Sequence, residues 1–125
     1  MLGKGPLYLH VSSLEALCAG MMVMARMAPH RMTLSQVIFF VTAGTSIAAG
    51  KPTTYTEVKE MLGEEINRSL AQTYRVLFEP SRVYPKALEW MTRETNPADN
   101  RQKFFQLTPQ GRRVLDEILK AMGDN

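Results

Sequence analysis

A single cysteine, Cys18, in 125 residues excludes an internal disulfide and suits a reducing compartment. Histidine is equally scarce. His10 and His30 stand far apart and Cys18 has no second thiol at ligand spacing, so no metal centre and no bound cofactor is expected. The chain lacks a glycine-rich phosphate loop and any Ser/His/Asp or Cys/His spacing that would support a nucleophile, which argues against an enzyme. Glu64 and Glu65 are adjacent carboxylates, but at a helix N-terminus the macrodipole accounts for them. Long apolar runs are missing too. Residues 36–50 (QVIFFVTAGTSIAAG) are too short and too rich in Ser, Thr and Gly to span a bilayer, and Glu15 and Arg26 interrupt the apolar N-terminal stretch. A soluble cytoplasmic protein that engages no membrane is the expectation. There is no internal repeat, low-complexity tract or long linker, so residues 1–125 are expected to form one domain with a real core.

What is present is well punctuated. Ser12-Ser13-Leu14-Glu15 has the form of a capping box, followed by Val11, Leu14, Cys18, Met21 and Ala25 on one stripe, with Pro29 closing the helix near residue 28. Thr33-Leu34-Ser35-Gln36 opens a second helix, running to Gly50. Thr54-Tyr55-Thr56-Glu57 opens a short third one, which Gly63 should stop as a C′ glycine. A further helix is expected from about Glu65 to Phe78, with Ile66, Leu70, Thr73 and Leu77 inward. Residues 88–95 and 102–107 alternate as strands around the turn-forming Asn96-Pro97-Ala98-Asp99-Asn100. Thr108-Pro109 then supplies an N-cap and a first-turn proline for a last helix over 109–122.

The expected fold is mainly α with a small β-hairpin: a helix-turn-helix at about 54–78, a wing at about 88–107, and flanking helices at both ends. At 100° per residue, Arg68, Ala71, Gln72 and Arg75 fall opposite Ile66, Leu70 and Leu77. Two arginines and a glutamine on one outward face suit base edges or phosphates in a major groove, and Asn67 lies beside them. Charge agrees. From Ile66 to Arg113 there are nine Lys or Arg against four Asp or Glu, within a formal net charge of +3. The bland alternative is a solvated helix face.

The sequence from Arg93 through Asp99 and Arg101 to Leu107-Thr108-Pro109-Gln110-Gly111-Arg112 resembles the wing and following helix of MarR-type transcriptional regulators, the multiple-antibiotic-resistance regulator family. The resemblance is closest there and extends in element order over about 33–120. It implies a dimeric winged-helix binder of double-stranded DNA, usually a repressor, and it admits a small-molecule effector. It implies that Arg101 reaches the minor groove or backbone, that Asp99 braces the wing by pairing with an arginine, and that 65–78 enters the major groove. Arg93 and Lys103 belong to the same wing. The connection 79–87 is longer than the terse turn usual in that family and could carry Arg82 and Lys86 to the DNA backbone or pack against the partner subunit. Homodimerisation is expected through 12–28 and 109–122, where apolar stripes exceed what the core needs. Met21, Met22, Met24, Met27 and Met32 crowd into this region. They admit three roles: core filling, an adaptable partner surface, or a small-molecule or thioether site. The competing function is a winged-helix module that binds protein and not DNA.

Overall fold

The computed structural model describes residues 5–28 and 32–123. Among them are four α-helices: α1 (Val11–Met27), α2 (Leu34–Ala48), α3 (Tyr55–Leu70) and α4 (Pro109–Ala121). Two 3₁₀ segments, Pro6–His10 and Thr73–Leu77, and one antiparallel hairpin of β1 (Met91–Asn96) and β2 (Asp99–Leu107) complete them. The chain is therefore mainly helical with a two-stranded hairpin. It divides into two compact units, residues 1–30 with 113–125, and residues 31–112.

In the first unit the 3₁₀ segment runs straight into α1, and the Val11 N–H bonds to the Tyr8 carbonyl. The capping box expected at Ser12 does not form. The helix starts at Val11 behind His10, which makes no side-chain cap, because the preceding turn already supplies a carbonyl to the helix start. Gly20, Val23 and Met24 are buried. A Cβ on Gly20 would lie 3.0 Å from Met122 Cγ and 3.3 Å from Ile118 Cγ2, so the missing side chain lets α1 approach the end of α4. The stripe of Val11, Leu14, Cys18, Met21 and Ala25 is exposed. Of the methionines, Met24 fills the core, Met21 and Met22 are exposed, and Met27 and Met32 are half-buried. Pro29 and His30 lie outside the described residues.

In the second unit α2 begins with the expected capping box: Thr33 Oγ1 accepts from Gln36 N–H, and Gln36 Oε1 accepts from Thr33 N–H. Its inner face is Ser35, Gln36, Phe39, Phe40, Ala43 and Gly44, the helical spacing of a single buried stripe. Phe39 stacks on Tyr74 at 5.3 Å and meets Phe105 at 6.0 Å, while Phe40 packs on Trp90 at 4.9 Å. Thr54 caps α3 through Glu57 N–H. The hairpin is anchored at this same helix start. Phe105 N–H donates to Thr53 O at 2.7 Å, and Thr54 forms an antiparallel bridge with Phe104. Sequence alternation gave no sign of this extra pairing, because two residues are too few to alternate. Thr108 then caps α4 through Gly111 N–H and donates its hydroxyl to Glu89 O.

Candidate nucleic-acid interface

Gly63 adopts φ 81, ψ 169 inside α3, a conformation essentially confined to glycine. The chain therefore makes two helical halves, before and after residue 63, at the place where the sequence asks for a stop. Asn67, expected to touch DNA, is used here instead. Its Nδ2 donates to Lys59 O and to Gly63 O, both at 2.7 Å. This side chain ties the two halves together.

The second half ends earlier than expected. Leu70 is its last residue, Ala71 takes φ 48, ψ −120, and Gln72 follows at φ −96, ψ 0. Those values at successive positions are those of a type II′ turn, whose first central residue is normally glycine. Thr73–Leu77 is then 3₁₀. The continuous helix to Phe78 is thus corrected. Thr73 Oγ1 donates to the Leu70 carbonyl at 2.6 Å, and Gln36 Nε2 donates to Thr73 O at 3.0 Å. Both bonds favour a turn, and the turn swings Leu77 and Phe78 into full burial. Arg68, Ala71, Gln72 and Arg75 therefore do not share one α-helical face. Arg68 stands on the helix, Ala71 and Gln72 on an exposed corner, and Arg75, half-buried, on the 3₁₀ segment.

Arg68 is 73% exposed and pairs with Glu64 one turn back at 3.0 Å. Such an exposed pair contributes about 0.3–0.5 kcal/mol, little enough for a phosphate or base edge to displace.

Residues 88–90, expected as strand, are used elsewhere. Leu88, Glu89 and Trp90 donate backbone N–H bonds to Val76, Phe78 and Leu77. With Glu89 at φ 57, β1 starts at Met91. The loop 79–87 consequently has its ends joined by Glu89 N–H to Phe78 O, and it is closed further by Tyr84 N–H to Ser81 Oγ. Arg82 and Lys86 are exposed on it.

The hairpin pairs Met91 with Leu107 through Thr95 with Lys103, then slips so that Asn96 faces Asp99. The turn is Pro97-Ala98, tighter than the expected 96–100, and residues 100–102 bulge on the β2 side. Arg101 lies in this bulge with its side chain 94% exposed. Asp99 Oδ1 accepts from Arg101 N–H at 3.0 Å and stands 3.5 Å from its Nε, so the aspartate holds the bulge in shape. Lys103 is exposed nearby.

Arg93, another expected contact, is committed to the fold. Its Nη2 donates to Glu79 Oε1, its guanidinium lies 4.9 Å from the centre of the Phe78 ring, and its Nε is buried with no hydrogen-bond partner among the described residues. Burial pushes the Glu79 carboxyl up, but the Arg93 hydrogen bond and the charges of Arg93 and Lys103 outweigh it and hold its pKa below the ordinary value. Burial and the neighbouring Tyr55 raise the Tyr74 phenol.

Exposed cations not nominated from sequence share this unit: Lys51, Lys59 and Arg112. They lie on three different segments, so no local sequence pattern marks them. Residues 31–112 carry eleven Lys or Arg and eight Asp or Glu, whereas the remaining chain has four of each. The basic excess belongs entirely to the unit with the hairpin. An open cleft of about 380 Å³ beside the α4 start is lined by Glu79, Glu89, Met91, Thr92, Thr108, Pro109 and Gln110. Two carboxylates and no cation line it, so it suits no phosphate. Compared with protein-family models, with curated proteins and with solved structures, the chain matches none.

Proposed function

We propose that residues 31–112 form a winged helix-turn-helix that binds double-stranded DNA, and that the chain regulates transcription as a homodimer, most simply as a repressor inside the cell. The observation that carries this is the hairpin bulge at Arg101. An arginine 94% exposed, on a turn braced by its own aspartate, follows a helix–glycine–helix element that exposes Arg68 and Gln72. An exposed guanidinium at a hairpin tip matches the narrow, strongly negative minor groove or a phosphate, and Arg68 and Gln72 match base edges in the major groove. Arg75, Arg82, Lys86 and Lys103 serve as backbone contacts in this reading. Asn67 and Arg93 act indirectly, by holding α3 and the hairpin in shape. The resemblance to MarR-type regulators, strongest over 93–112, points the same way.

The dimer rests on charge and exposure. The first unit is neutral and presents Val11, Leu14, Leu17, Met21 and Met22 to solvent, with Leu119 and Met122 on and just after α4. Selection of bound sites from random duplex DNA tests both halves of the proposal. A short inverted repeat is expected. Recovery of no enriched sequence, together with capture of a protein ligand by the same surface, would favour the protein-binding module.

The 22 residues Pro6–Met27 are long and apolar enough, by length and composition, to cross a membrane, and most of them are exposed. Glu15 falls near the middle of that span, where a carboxylate costs about 2.5–3.5 kcal/mol in a bilayer centre. A self-interface accommodates the same residue at its wet edge.

A further inference from the structure

We propose that α1 pairs in parallel and in register with α1 of a second copy of this chain, through a seam running from Val11 to Ala25. This rests on the dimer reading above and specifies its geometry. Val11, Leu14, Cys18, Met21 and Ala25 recur within α1 at alternating steps of three and four residues, the repeat of a coiled-coil seam. All five are exposed: Val11 43%, Leu14 51% and Met21 56%, with Cys18 and Ala25 also open. The helix already satisfies its own unit with a different stripe, in which Gly20, Val23 and Met24 are buried and Gly20 receives Met122 and Ile118. The outer seam is therefore additional to the fold.

The flanks identify the occupant and its direction. Leu17 and Met22, 53% and 55% exposed, border the seam on opposite sides, at positions that meet across a parallel pair and widen its apolar strip. Antiparallel pairing centred between Leu14 and Cys18 would instead bring two Glu15 carboxylates together. A lipid surface would call for cations along the polar face, and α1 carries Arg26 alone. Cys18 then stacks on Cys18 of the second copy at the seam's centre.

The test uses the full chain. Sedimentation at micromolar concentration is expected to give twice the 14.1 kDa chain mass. Mild oxidation with diamide should convert that dimer to a covalent one on non-reducing electrophoresis, and Cys18→Ser should abolish the covalent form while leaving the dimer. Leu14→Glu with Met21→Glu should give a monomer of unchanged helical circular dichroism. That monomer should still bind random duplex at low salt through residues 31–112, so failure of the pairing and failure of the DNA reading stay distinct. A 14.1 kDa parent species, a dimer that the double variant does not dissociate, or a dimer that never cross-links at Cys18 would each overturn the proposal. So would flotation of a monomeric chain with phosphatidylcholine vesicles.

Discussion

Asn67 and Arg93 show how a polar side chain suited to nucleic acid can be committed to the fold. The two Asn67 hydrogen bonds span the Gly63 break, so Asn67→Ala should cost about 1–2 kcal/mol and lower the thermal midpoint by several degrees. A melt unchanged from the parent would show that the break holds without it. Arg93 acts through Glu79. Because the folded pKa of Glu79 lies below its unfolded value, its contribution is fully present above the ordinary carboxyl range and is lost as pH falls through the folded pKa. Glu79→Gln should therefore be less stable than the parent at pH 7, by no more than about 1 kcal/mol for a half-exposed carboxylate, and the gap should close on acidification below about pH 4. Urea midpoints measured from pH 7 to pH 3 check this, and a gap constant across that range would contradict it. Gly111 makes a steric demand. A Cβ there would meet the Trp90 carbonyl oxygen at 2.0 Å, so Gly111→Ala should lose about 2–4 kcal/mol in denaturant titration.

The elements differ in how far their own residues specify them. The α2 capping box, the glycine break in α3, the hairpin and the Thr108 cap are all legible in the sequence, because each depends on residues within a few positions of one another. The end of α3 is not. Ile66, Leu70, Thr73 and Leu77 keep helical spacing, yet the Gln36 amide, 37 residues away from Thr73, takes the carbonyl there and a turn wins. The start of β1 was missed for the same reason, since residues 88–90 pair with a segment that local pattern does not reveal. Within the candidate interface, the exposure of Arg68 follows from helical phase and that of Arg101 from the turn residues before it, whereas the pairing of Asp99 with an arginine is an expectation of the resemblance to MarR-type regulators. Asn67 and Arg93 make bonds within the fold that local sequence pattern does not disclose, because their partners lie in the tertiary structure. Ala71 separates turn from helix experimentally. At φ 48, ψ −120 a glycine is unstrained, so Ala71→Gly should raise stability by about 1 kcal/mol, whereas in a continuing helix it would lower it by about the same amount. A thermal melt gives the sign.

Across the described residues net charge and apolar exposure divide unevenly: ten of the fourteen large apolar side chains that stay exposed lie in the neutral unit, and Leu34, Val41, Met61 and Val83 in the other. The unit with the hairpin holds the net +3, and the neutral unit presents the seam of α1. That division is the one expected of a protein that binds a polyanion with one part and itself with another. The direct measurement is titration of the parent, Arg101→Ala and Arg68→Ala against a selected site and a random duplex over a range of salt. Arg101→Ala should weaken both duplexes alike and flatten the plot of log K against log salt by about one phosphate contact. Arg68→Ala should weaken the selected site further than the random one, by roughly 1–3 kcal/mol of lost discrimination. If the parent shows no salt-dependent affinity for duplex DNA, or if both variants bind as the parent does, the account of this surface as a DNA interface is wrong.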